Sequence, residues 1–213
     1  MSNDAFGYDS RLPEDIREIF MWLCQDVASL QNKWSFYLEL FSSQENTALL
    51  SDLAQSSFHI IEESLRDDLT MAIYRMSDPS QSRGKDNRRK DNLSLETLAL
   101  RCGAIDSVTD LLEDFKKACK PVRQYRNKRV GHNDLNTTIK PHDNPLPGIG
   151  RSQIDRILEL ASKILNIVYQ NFVDGELFFA SIQIGGADAL MYWLKMAKEY
   201  QAQKKLALRS SAA

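Results

Sequence analysis

At 213 residues, with 43% hydrophobic and 26% charged side chains, the chain carries enough apolar material for one sizeable core, which excludes a disordered polypeptide and removes any need for two independent domains. Its 27 basic and 29 acidic residues leave a formal net charge of -2, so bulk electrostatics do not announce a nucleic-acid partner. Cys24, Cys102 and Cys119 are odd in number and widely separated, without a C-x-x-C pair, which excludes a disulfide framework and a zinc knuckle and fits a reducing cytoplasm.

The first twelve residues are polar and acidic, lack the basic and apolar regions of a signal peptide, and read as a flexible lead-in; no apolar run is long enough to span a bilayer. From Pro13 onward Ile16, Phe20, Leu23, Val27, Leu30, Trp34, Tyr37 and Phe41 recur at steps of four and three, the stripe of a long core-facing helix with Pro13 in its first turn. A polar connection at 42–46 leads to a second such stripe through Leu49, Leu53, Ile60, Ile61, Leu65, Leu69, Ile73 and Met76, and the short link predicts an antiparallel pair. The segment 79–92 is polar throughout, holds Pro79 and Gly84, and reads as a loop insert. Leu93 to Cys102 predicts a short helix broken by Gly103. A third long helix follows through Val108, Leu111, Leu112, Phe115, Ala118 and Val122, and Pro121 is expected to kink or interrupt it. After another loop rich in Pro, Gly and Asn, a fourth long helix runs from about Ser152, with Asp155 completing a helix-start signal, through Ile154, Leu158, Ala161, Leu165, Val168 and Phe172. A last helix follows Gly185-Gly186 through Leu190, Leu194 and Ala197 and is expected to fade into a basic, flexible tail at 201–213. Only FFASIQI, at 178–184, alternates enough to be a strand candidate. Four long helices plus short ones make an all-α helical bundle occupying 13–200.

Charge is distributed unevenly. Residues 1–68 carry 13 acidic and 4 basic side chains, whereas 116–129 hold 7 basic residues and no acid, so a polyanion would meet the later segment. That segment leads into Tyr125-Arg126-Asn127-Lys128-Arg129-Val130-Gly131-His132. On a continuing α-helix Arg126, Arg129 and His132 lie three apart and form one slanting stripe. A permanent cation beside a titratable imidazole suits metal-independent RNA cleavage, because the nucleophile, the ribose 2′-hydroxyl, already belongs to the substrate. His132 has the intrinsic pKa to move the proton, and the Arg126 fork can take up phosphate charge in the transition state. Asn127 can orient either partner, while Lys120, Arg123, Lys128 and Arg129, with Lys116 and Lys117, can hold the flanking RNA backbone.

R-N-x4-H at the end of a bundle helix resembles the motif of the HEPN superfamily (higher eukaryotes and prokaryotes nucleotide-binding). The helix order, the RNKRVGHND context and the GADALMYWL segment are most similar to its abortive-infection U-type branch. The resemblance spans roughly Pro13 to Tyr200. It implies a HEPN-like bundle, a homodimer in which two motif helices pool their Arg/His pairs, and a metal-independent endoribonuclease acting in phage defence or as a toxin, without a cofactor. Other members have lost catalysis, so the competing expectation is an inactive module that binds RNA, a nucleotide or a partner protein such as an antitoxin. Gly131 and Pro121 depart from the pattern and leave the orientation of His132 open.

Other clusters read more plainly. Glu63 and Asp67, with Glu62 and Asp68, fall on one helix, yet Asp110 and Glu113 make a poor second acidic pair, so solvent-facing charge is preferred to a magnesium site. His59 is expected in a core or interface, His142 in a loop, and Trp22, Trp34, Phe36 and Trp193 as core or dimer-contact aromatics. Arg83, Lys85, Arg88, Arg89 and Lys90 are expected in the flexible loop insert, with contact to RNA as the lesser alternative.

Overall fold

The computed structural model describes residues 11–84, 87–103, 105–130, 148–179 and 186–210. Of these described residues 79% are helical, and the fold is an all-α helical bundle. The helices are α1 (Glu14–Phe41), α2 (Gln44–Met76), α3 (Leu95–Arg101), α4 (Asp106–Tyr125), α5 (Arg151–Gln170) and α6 (Ala187–Ser210), with a π-helical turn at Arg126–Val130 and strands β1 (Gln81–Arg83) and β2 (Arg89–Asp91). Its contacts group it into two compact units, 1–31 with 67–180 and 32–66 with 181–213, so α1 and α2 each contribute to both.

In the first unit the predicted stripes become the core. Ile16, Phe20, Leu23, Val27 and Leu30 of α1 are buried, as are Leu69, Ile73 and Met76 of α2. They are joined by Val108, Leu112, Phe115, Cys119 and Val122 of α4 and by the inward face of α5 from Ile154 to Val168. Phe115 is fully buried; removing its ring would cost about 3–5 kcal/mol through lost transfer energy and the cavity left behind. Phe20 stacks on Tyr169 with ring centroids 5.9 Å apart. Burial pushes the thiols of Cys24 and Cys119 up to about 12 and that of Cys102 up to about 11, which keeps all three protonated and unreactive at neutral pH.

Two boundaries of α3 have clear causes. The hydroxyl of Ser94 accepts from the Thr97 N–H at 3.3 Å and caps α3. Gly103, at φ 79°, supplies the left-handed residue that ends that helix. At α5 the cap is Gly150, without a side-chain bond, rather than the expected Ser152, and the helix begins at Arg151. Pro121 lies inside α4 without breaking it. The departure from α geometry comes later, at Arg126, where the backbone widens into the π-helical turn.

The segment expected as a plain loop insert instead forms an antiparallel hairpin, pairing Gln81 with Asp91, Ser82 with Lys90 and Arg83 with Arg89. All six strand residues are exposed, so no apolar alternation existed for the sequence to display. Asn87, at φ 58°, makes the turn, with the Gly84 N–H donating to the Arg88 carbonyl at 2.8 Å. Phe178 and Phe179 of the strand candidate FFASIQI lie in irregular chain, and 180–184 fall outside the described residues.

The second unit contains the end of α1, most of α2, and α6. Leu40, Leu49, Leu50, Ala187 and Met191 form its core, with Phe36, Leu53 and Leu194 packed against it. The buried face of α6 is thus Ala187, Met191 and Leu194, not the expected Leu190 and Ala197, which are exposed. The helix also continues through Ser210 rather than fading into a tail. Within α2 the residue Ala54 leaves helical geometry (φ -160°, ψ 63°), and it falls in the six-residue gap between Leu53 and Ile60 in the predicted stripe. Ile60 and Ile61, expected on the buried face, are exposed. So are Trp22 and Trp193, whereas Trp34 is buried and stacks on Tyr37 at 5.4 Å. No described helix is long and apolar enough to cross a membrane.

Candidate functional site

The last turn of α4 and the π-helical turn after it carry the residues singled out by the sequence. Arg123 and Arg126 lie three apart on helical backbone, and both guanidiniums sit over the ring of Tyr74 on α2, at 4.4 and 4.3 Å from its centroid. The two arginines are then used differently. One nitrogen of Arg123 donates to the Ser77 carbonyl at 2.9 Å, the Ser77 hydroxyl at 3.0 Å and the Asp78 carboxylate at 3.2 Å. It ties down the C-terminal end of α2, whose last carbonyls lack helical partners.

Arg126 has no such anchor. It donates to Oδ1 of its neighbour Asn127 at 3.1 Å, and no described carboxylate pairs with it. Its Nε is, among the described residues, the buried side-chain nitrogen left without a hydrogen-bonding partner. An unfilled donor of this kind costs about 1–3 kcal/mol, more for a charged group, unless an incoming acceptor fills it. A half-buried cation with an open donor, its plane held against an aromatic ring, is suited to receiving an anion bidentately.

The structure thus brings Arg126 and Asn127 together and adds Tyr74, which the sequence reading passed over because it sits beside the α2 stripe rather than on it. His132 and His142 lie outside the described residues. Among the expected RNA-contacting residues, Lys120 and Arg129 are exposed, Lys128 is half-buried, and Arg123 is engaged by Ser77 and Asp78. The anticipated stripe of Arg126 and Arg129 is altered by the π-helical turn. With more residues per turn, positions three apart separate further around the axis, and Arg129 is exposed where Arg126 is half-buried.

The other clusters have local partners. Glu62 accepts from the Tyr37 hydroxyl at 3.3 Å, and His59, exposed rather than in a core, lies 3.6 Å from Glu63. Among the described residues no three His, Cys, Asp or Glu side chains are grouped as metal ligands. On the Arg123 side, Glu96 of α3 accepts from Lys116 of α4 at 2.9 Å and from the Ser80 N–H at 2.6 Å. Burial alone would raise the Glu96 carboxyl, but those two donors outweigh it and hold it below its ordinary value.

A family profile described as HEPN_AbiU2 (AbiU2) matches residues 13–182. No curated protein and no solved structure matches the chain. The profile covers most of the chain, which belongs to this abortive-infection HEPN family.

Proposed function

We propose that this member of the AbiU2 family of HEPN proteins is a metal-independent endoribonuclease of phage defence, working as a homodimer in which two motif turns face one cleft. The observation that carries the reading is Arg126, a half-buried guanidinium seated on Tyr74 with a buried Nε that no described group fills. In this reading a scissile phosphate supplies the missing acceptor. The ribose 2′-hydroxyl attacks the adjacent phosphorus while His132 takes its proton, and the bond to the 5′-oxygen breaks as a proton is returned to it. The products are a 2′,3′-cyclic phosphate and a free 5′-hydroxyl. Arg126 stabilises the charge that accumulates on the non-bridging oxygens, and Asn127, bonded to it at 3.1 Å, fixes the fork. Lys120, Lys128 and Arg129 hold the flanking backbone, and Arg123 acts mainly by fixing Tyr74 and the end of α2.

The test is incubation of wild type, Arg126→Ala and His132→Ala with RNA in excess EDTA, followed by analysis of the product ends. Cleavage by wild type alone, leaving 2′,3′-cyclic phosphates, supports the proposal. RNA binding that depends on Arg126 without cleavage by any of the three would favour a binding module that has lost catalysis.

A further inference from the structure

The hairpin that replaces the expected loop insert carries two facing arginines that no described acid pairs with. Between Gln81 and Asp91 the sequence holds 5 basic and 2 acidic residues. The register sets Arg83 directly opposite Arg89. Like charges at facing positions of an antiparallel pair oppose strand pairing. An ordinary solvated hairpin relieves that repulsion with a neighbouring carboxylate. Here Asp91, the acid on the same face of the ribbon, is occupied by Gln81 at 3.0 Å and by Arg101 at 3.1 Å. No described residue pairs with Arg83, Arg89 or Lys90.

The foot of the hairpin, by contrast, is fastened firmly to α4. Arg123 holds Ser77 and Asp78, just before β1, while Lys116 holds Glu96, which in turn accepts from Ser80. The Asn92 N–H donates to the Ser80 carbonyl at 2.8 Å and closes the base of the ribbon. A short, two-stranded, wholly exposed ribbon is marginal alone, so this anchorage is what keeps the repelling arginines in register. Arg83 lies five residues beyond Asp78, and an extended chain covers at most about 18 Å over that length, so the pair stands within a few nucleotides' reach of Arg123 and the ring it shares with Arg126.

We infer that Arg83 and Arg89 form a second phosphate clamp, which grips the backbone of the same single-stranded RNA a short distance from the Arg126 turn. This rests on the RNA-directed reading of that turn. A phosphate between the two guanidiniums turns a repulsive cross-strand pair into a bridged one. It carries no base readout, so it contributes affinity and register rather than sequence preference.

The experiment measures affinity of the full chain for a single-stranded RNA with 2′-O-methyl ribose throughout, which cannot be cleaved, across a salt series. The proteins are wild type, R83Q/R89Q and Arg83→Glu. Each phosphate neutralised on a single strand contributes about 0.7 to the slope of log affinity against log salt, so R83Q/R89Q, which releases the one bridged phosphate, should flatten that slope by about 0.7 and bind roughly tenfold more weakly at low salt. Arg83→Glu converts the like pair into an opposite one. It should raise the thermal unfolding midpoint while weakening RNA binding, an opposed movement that a merely structural role would not produce. Wild-type binding that falls with salt, together with an unchanged slope and affinity in both variants, would overturn the clamp and leave the Arg126 reading standing. A wild type with no salt-dependent affinity would remove both together.

Discussion

The final turn of α4 and the π-helical turn that follows it place two arginines on one tyrosine ring and treat them in opposite ways. In the α-helical turn one nitrogen of Arg123 is engaged by a carbonyl, a hydroxyl and a carboxylate. In the widened turn Arg126 keeps a buried N–H with nothing to donate to among the described residues. Saturation is what structural stability asks of a buried charge, and an open donor is what a ligand site asks of one. The contrast predicts that the two side chains fail in different assays.

The largest effect is expected from Arg126→Ala. Loss of one preorganised donor to a developing oxyanion lowers turnover about a hundred- to a thousand-fold. Thermal stability should hold or rise slightly, because the substitution removes an unsatisfied buried donor. A parallel fall in unfolding midpoint and activity would show Arg126 to be a packing residue and erase the contrast.

Arg123→Ala should do the reverse. It strips the partners from Asp78 and from the Ser77 carbonyl at the end of α2, a loss of about 2–3 kcal/mol for charge-assisted bonds that are partly buried. Urea unfolding measures it, and RNA cleavage by the remaining folded protein should change far less than with Arg126→Ala.

Tyr74 sharpens the comparison because it touches both arginines. Tyr74→Phe keeps the ring and should leave cleavage near wild type, whereas Tyr74→Leu removes the cation–π seat, a contribution of about 0.5–2 kcal/mol that corresponds to a roughly two- to thirty-fold loss of RNA affinity. Equal losses in both variants would mean that the hydroxyl, not the ring, orients the guanidinium.

How much of this the sequence disclosed follows from which forces write periodic patterns. Buried faces do, so α1, α4 and α5 and the lower part of α2 were legible from Ile16, Phe115 or Leu165 and their neighbours at helical spacing. Exposed ribbons do not. β1 and β2 bury no side chain, and their register is set by backbone bonds that leave no trace in residue type. The Ala54 break and the π-helical turn are backbone events of the same silent kind. Within the site Arg126 and Asn127 stood out because charge clusters in the chain, but Tyr74 is joined to them only by tertiary packing. The one available hint was the aromatic beside Ile73 at the end of a helix that finishes in Ser77 and Asp78.

The smallest effect concerns the saturated side of the comparison. Glu96 has its carboxyl held below the unfolded value of 4.5 by Lys116 and the Ser80 N–H. The folded state therefore binds fewer protons than the unfolded chain as pH falls past that value. Its stabilisation is fully present above pH 4.5 and is lost as pH drops through the folded pKa. Glu45, Asp52 and Glu159 are also lowered, yet they are almost fully exposed, so moderate salt screens their contributions. In such salt Glu96→Gln should flatten the acid limb of the unfolding midpoint and loosen the hairpin foot, while Arg126, on the unsaturated side, should leave that limb unchanged when replaced by Ala. A wild-type acid limb in Glu96→Gln would mean that Arg123 alone holds the base of the hairpin. The saturated region would then shrink to the few residues around Ser77 and Asp78.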